Sequence, residues 1–149
     1  VNINKENVHV PDGVGFEAGE AGKAYEELMA KTGQVEIQLL GLGCNGHIGF
    51  NEPAKEFTHT TYKVALTQST LDANKRFFPD SDMPRYALTM GIDSIMQAKR
   101  IVLIATGAAK AQAVRDMIRG AVSPECPASI LQNHADVHIF LDREAAKLL

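Results

Sequence analysis

A strand-like run, Val35-Glu36-Ile37-Gln38-Leu39-Leu40, leads directly into the loop Gly41-Leu42-Gly43-Cys44-Asn45-Gly46-His47-Ile48-Gly49-Phe50-Asn51-Glu52-Pro53. No other stretch of the chain restricts its fold as strongly. The run is short, β-branched at its start and leucine-rich at its end, as a strand entering a covered sheet would be. The loop then gathers an imidazole, a carboxamide and a carboxylate at the strand's carboxyl end. In open α/β sheets, several strand-to-helix loops converge on that edge and ligands bind there. A Gly-x-Gly pair alone carries little weight, because ordinary tight turns share it.

The rest of the pattern alternates helix and strand. Pro11-Asp12-Gly13 marks a turn in an opening connecting segment. Phe16 to Met29 predicts a helix, with Ala21, Ala24, Tyr25 and Leu28 on one face and Gly33 placed to stop it. Thr60 to Leu66 alternates as a strand does, and helices are predicted over Leu71–Phe78 and Ile92–Gln97. Ile101 to Ala105 is continuously apolar and β-branched, the pattern of a strand buried on both faces. Ala108 to Arg119 predicts a helix with Ala111, Val114, Met117 and Ile118 as its stripe and Gly120 at its end. Val137 to Leu141 is a final strand and Arg143 to Leu149 a terminal helix. This order implies an α/β fold, a mostly parallel, Rossmann-like, doubly wound sheet with helices on both faces.

Length and composition exclude several classes of function. The 149 residues suit a single domain with a substantial core. A net charge of −3 and no cluster of Lys and Arg with interleaved aromatics argue against a nucleic-acid surface. No apolar stretch approaches the roughly 20 residues that span a bilayer, so no membrane partner is expected. Cys44 and Cys126 lack metal-type spacing and fit a reducing, cytoplasmic setting better than a disulfide framework. His59, His134 and His138 are scattered, and neither a metal nor another cofactor is proposed. The chain begins with Val1 and shows no signal-peptide pattern, which raises the expectation of a fragment of a longer protein.

Within the loop, His47 is the first candidate for chemistry, since imidazole titrates near neutrality and can take and return a proton. The plainer alternative is a histidine bonded to a loop carbonyl. Glu52 is close enough in a folded loop to fix the imidazole tautomer; otherwise it is a solvated carboxylate. Asn45 can orient an imidazole or a hydroxyl but cannot accept a proton in this pH range, and its alternative role is conformational, as Asn-Gly is a turn signal. Lys110 falls in the first turn of the helix after Ile101–Ala105, where free N–H groups favour an anion. Arg76, near the end of a predicted helix, offers a planar bidentate fork for phosphate. Lys75 reads as a surface charge. Cys44 reads as a small, soft filler rather than a nucleophile.

The string Gly-Leu-Gly-x-Asn-Gly-His-Ile-Gly-Phe-Asn-Glu-Pro resembles the signature of the glucosamine-6-phosphate deaminases (isomerases). The likeness continues through Ala73-Asn74-Lys75-Arg76-Phe77-Phe78, Tyr86-Ala87-Leu88-Thr89-Met90-Gly91 and Thr106-Gly107-Ala108-Ala109-Lys110. It implies an enzyme that converts glucosamine 6-phosphate and water to fructose 6-phosphate and ammonia in amino-sugar catabolism. It also implies catalytic roles for Asn45, His47 and Glu52 in opening the sugar ring, and phosphate binding by Arg76 and Lys110. Some members of the family carry Asp where this chain has Asn45. The family's upstream Ser/Thr-Gly-Gly phosphate loop and its C2-deprotonating Asp have no counterpart in this sequence. The resemblance therefore implies a carboxyl-terminal part of such an enzyme, with the sheet incomplete at its N-terminal side, inactive alone and prone to form a homo-oligomer. Where allosteric members place basic residues, Tyr62 and Val64 flank a lone Lys63, which speaks against activation by an acetylated sugar phosphate. Alternatives are a galactosamine-6-phosphate isomerase, a 6-phosphogluconolactonase-like hydrolase, or an inactive sugar-phosphate binding module. The Phe50-Asn51-Glu52-Pro53 ending favours the deaminase, since a lactonase has no need of a ring-opening carboxylate.

Overall fold

The computed structural model describes residues 2–14, 18–78 and 83–149, with the side chains of Ala18, Ala73 and Arg76 outside that description. In chain order the elements are α1 (Ala18–Thr32), β1 (Ile37–Gly41), β2 (Tyr62–Ala65), α2 (Gln68–Asn74), β3 (Tyr86–Thr89), α3 (Ile92–Met96), β4 (Arg100–Ala105), α4 (Ala111–Arg119) and β5 (Val137–Leu141). Short 3₁₀ turns occupy Lys5–Asn7, Lys75–Phe77, Ala108–Lys110 and Pro127–Asn133. The predicted start of the first helix at Phe16 lies outside the described residues. Its end behaves as predicted, with the Gly33 N–H donating to the Met29 carbonyl.

β1, β4 and β5 form a parallel sheet in that order, with Leu40 beside Leu103 and Leu103 beside Ile139. Because all three strands run the same way, the loops after β1, β4 and β5 emerge at one edge. That edge holds the Gly41–Pro53 loop. β2 and β3 form a separate antiparallel ladder, Tyr62 opposite Thr89 and Ala65 opposite Tyr86. The β2 strand is shorter than the predicted Thr60–Leu66. β3 is a strand that the sequence pattern does not predict, because four residues with Tyr86 exposed and Thr89 buried are too short to show a period.

One face of the parallel sheet carries the core. Ile101 and Leu103 are wholly buried against Leu40, Ile92 and Ile95 of α3, Val114 and Met117 of α4, and Leu131. Each fully buried aliphatic side chain is worth roughly 1.5–3 kcal/mol, so this face anchors the edge on which the loop stands. β4 is not buried on both faces as its composition suggests: Val102 is half-buried and Ile104 is 48% exposed. Gly41, Ile104 and Phe140 share a register row, and Leu39, Ile104 and Phe140 lie open on the same face. Among the described residues nothing covers them.

The terminal helix predicted over Arg143–Leu149 is absent, and the segment is a series of turns. The Asp142 carboxylate accepts from the Ala145 N–H at 2.8 Å and, with both oxygens, from the Gly107 N–H at 3.0 Å. That side-chain competition, in a segment too short to repay helix nucleation, leaves only isolated turn bonds such as Ala146 N–H to the Asp142 carbonyl.

Candidate active site

Beyond β1 the chain folds back on itself. The Gly43 N–H donates to the His47 carbonyl at 2.8 Å, and the Gly46 N–H to the Gly43 carbonyl at 3.1 Å. Gly46 has φ +87, and a side chain there would also crowd the Cys126 thiol. A Cβ on Gly43 would run into the His47 ring, so only glycine lets the imidazole lie against the backbone.

The far end of the loop is tied down by a buried amide. Asn51 is 1% exposed and donates to the Ile48 and Met90 carbonyls, both at 2.9 Å, while its oxygen accepts from the Thr58 hydroxyl. The Phe50 N–H adds a bond to the Thr89 hydroxyl at 3.1 Å, so β3 supports the loop from beneath. The bond to Met90, 39 residues away, leaves no signal in the local sequence around Asn51.

Between these anchors the three predicted residues meet. The Asn45 amide nitrogen donates to Glu52 Oε2 at 2.7 Å, and Asn45 Oδ1 accepts weakly from the His47 N–H at 3.3 Å. His47 Nδ1 lies 3.3 Å from the same Glu52 oxygen. Nδ1 is sealed from solvent and lacks the alignment of a full hydrogen bond, so this is an ion-pair distance rather than a made bond. Glu52 Oε1 faces the other way, accepting from Thr70 Oγ1 at 2.5 Å and Thr67 Oγ1 at 3.1 Å. Burial pushes the Glu52 carboxyl up, but the hydrogen bonds from Thr70 and Asn45, the charge of His47 and the Thr67 bond outweigh it and hold it below its ordinary value.

A cavity of about 590 Å³ opens beside this group, lined among others by Gly43, Asn45, His47, Thr70, Asn74 and Lys110. Lys110 sits in the 3₁₀ turn Ala108–Lys110, not in the first turn of an α-helix as predicted, and its N–H donates to the Gly107 carbonyl. Gly107 is in turn held by Asp142. Backbone bonds from Ala145 and Gly107 keep the Asp142 carboxyl below its ordinary value. Arg76 falls in the turn Lys75–Phe77 that follows α2, with its side chain outside the described part. No Asp or Glu is among the described lining residues. A second cavity of about 510 Å³, lined by residues such as Glu26, Met29, Gln34 and Ser94, contains no His, Lys or Arg among its described lining residues.

The expectation for Cys44 needs correction: its side chain is exposed on the loop and fills nothing. Cys126 is the thiol that packs, against Gly46, and burial raises its pKa. Lys63 lies 4.6 Å above the Tyr86 ring. Among the described residues no group of three or more His, Cys, Asp or Glu side chains could hold a metal ion.

Residues 1–140 match a family described as glucosamine-6-phosphate isomerases/6-phosphogluconolactonase. The chain is 48% identical over 150 residues to the glucosamine-6-phosphate deaminase of Thermoanaerobacter pseudethanolicus, and 51% identical over 149 residues to that of Rhodopirellula baltica. These alignments cover 100% and 99% of this chain and 59% of each relative, so the chain spans about three fifths of their length. The solved structure of a monomeric glucosamine-6-phosphate deaminase superposes with a TM-score of 0.89 at 46% identity, over 95% of this chain and 59% of that one. A 6-phosphogluconolactonase from Trypanosoma brucei superposes at 0.66 with 21% identity, over 89% and 54%, a likeness of fold alone.

Proposed function

This chain belongs to the glucosamine-6-phosphate isomerase/6-phosphogluconolactonase family, and on that premise we propose that its loop site opens the sugar ring in a glucosamine-6-phosphate deaminase. The overall reaction converts glucosamine 6-phosphate and water to fructose 6-phosphate and ammonia. The observation that carries the reading is the convergence of His47 Nδ1 and the Asn45 amide on one Glu52 oxygen, beside a cavity that Lys110 also lines.

Ring opening needs one proton removed from the anomeric hydroxyl and one delivered to the ring oxygen. A single imidazole does both when its second nitrogen faces a carboxylate, which fixes the tautomer and stabilises the transient imidazolium. In this site Glu52 takes that part and leaves His47 Nε2 to exchange the proton. Asn45 holds the carboxylate rather than carrying a proton. Lys110 and Arg76 bind the phosphate. Proton abstraction at C2 falls to a carboxylate in the part of the relatives that this chain does not span, so the chain alone does not release ammonia. β1, α3, β4, α4 and β5 share one core, and we read the 149 residues as a single domain, part of a sugar-phosphate isomerase/deaminase domain.

Glu52 favours the deaminase over a lactonase, as does the identity of about half to deaminases against one fifth to lactonases. No described helix is long and apolar enough to cross a membrane. Two free thiols and a metabolic substrate favour a cytoplasmic site of action.

The ring-opening step can be tested apart from deamination, because each opening and closing interconverts the α and β anomers. Exchange NMR on glucosamine 6-phosphate should show faster anomer interconversion with the chain than with its His47→Gln variant. Equal rates for the two proteins would overturn the assignment.

A further inference from the structure

We propose that Thr70, assisted by Thr67, is a positioning residue that keeps Glu52 ionised and turned toward His47. This rests on the reading of Glu52 as the partner of His47, but its test does not depend on activity.

Glu52 has four neighbours on two oxygens. Oε2 faces Asn45 and His47; Oε1 faces Thr70 at 2.5 Å and Thr67 at 3.1 Å. Each hydroxyl carries one proton. The shorter contact takes the Thr70 proton, and the Thr67 proton goes either to Glu52 or away from it, to Thr70 Oγ1 at 3.0 Å or Ser69 Oγ at 3.1 Å. In either arrangement Oε1 is an acceptor, and Oε2 accepts from the Asn45 amide. A proton on the carboxyl would weaken these bonds, because a neutral acid is a poorer acceptor than a carboxylate. The pair of donors on opposite oxygens also fixes the rotation of the carboxylate plane, which decides where Oε2 stands relative to the imidazole.

Thr70 is well placed to enforce this. It is only 4% exposed and lies in α2, whose N-cap is Thr67, with the Thr67 hydroxyl accepting from the Thr70 N–H. The Asn74 amide closes the next turn onto the Thr70 carbonyl at 2.8 Å. The two hydroxyls therefore reach Glu52 from a helix that also leads into the turn containing Arg76. Placement of α2 over the loop couples the orientation of the carboxylate to the segment proposed to bind phosphate.

The experiment is a ¹³C NMR titration of the Glu52 carboxyl in the 149-residue chain, with Thr70→Val and Thr70→Ser beside the parent. Valine keeps the volume and removes the donor; serine keeps the donor. The Glu52 midpoint should rise by about one pH unit in Thr70→Val, the scale of a lost hydrogen bond to a charged group, and stay in place in Thr70→Ser. A helix-stabilising role alone would not move that midpoint. An unchanged midpoint in a folded Thr70→Val protein would overturn the proposal. A second readout needs no variant: the Thr70 hydroxyl proton should be shielded from exchange and visible at low temperature above the Glu52 midpoint, vanishing below it. Its absence throughout would also overturn the assignment. If the anomer exchange test failed while these midpoints moved as stated, the ring-opening function would fall and the Thr70–Glu52 coupling would stand.

Discussion

The Asn45 amide nitrogen stands 2.7 Å from Glu52 Oε2, a donor facing an anion at full hydrogen-bond strength. That contact is possible only because residue 45 is an amide. In Asn45→Asp, two carboxylates would face each other at this separation, and such pairs share a proton because both cannot ionise at ordinary pH. The pair should titrate with one midpoint raised well above that of Glu52 in the parent chain. A ¹³C titration checks this, and two midpoints both in the ordinary carboxylate range would contradict it.

Phosphate affinity should depend on Lys110. A hydrogen bond to a charged group contributes roughly 1.5–3 kcal/mol, so Lys110→Ala should weaken glucosamine 6-phosphate binding by about tenfold or more. Unphosphorylated glucosamine should bind equally poorly to both proteins. Calorimetric or NMR titration with the two sugars makes the comparison, and an equal affinity for the phosphate would remove Lys110 from the site.

Acid should destabilise the fold through its depressed carboxyls, Glu52 and Asp142 among them. Glu52 and Asp142 both titrate below their ordinary values of 4.5 and 3.8 in the folded chain. A group depressed on folding contributes stability above its unfolded pKa and loses it as the pH falls through the folded one. The melting temperature should therefore drop as the pH falls below about 4, and more gently in Glu52→Gln. Thermal melts across an acid series would show this; identical slopes for parent and variant would count against it.

Asn51 should matter more for folding than any loop residue that touches the cavity. Replacing it with leucine leaves the Ile48 and Met90 carbonyls and the Thr58 hydroxyl without that amide. Loss of several buried partners at once should cost roughly 2–4 kcal/mol, read from chemical denaturation. A stability within experimental error of the parent would show that water or a neighbour replaces the amide.

The open face of the parallel sheet should drive self-association. Leu39 and Phe140 are 63% and 57% exposed, and together with Ile104 they form an apolar surface of the kind that promotes association. Sedimentation should show oligomers of the 149-residue chain, shifted toward monomer in a Leu39→Lys, Phe140→Lys double variant. A parent chain that stays monomeric at high concentration would reject this.

The sequence by itself determined the α/β class, the strand running into a glycine-rich loop, and the grouping of Asn45, His47 and Glu52. These features are local: β-branched runs and glycines impose backbone geometry, and a short loop brings its own side chains together. Tertiary structure decided what completes the site. Thr70 reaches Glu52 from 18 residues away in sequence, and Asn51 finds Met90 from 39 residues away. Contacts at such separations depend on how α2 and β3 pack over the loop, and packing leaves no periodicity in either segment. For the same reason β4 reads as buried on both faces although one side is open. Composition records which side chains can be buried; only the arrangement of neighbouring elements decides which are.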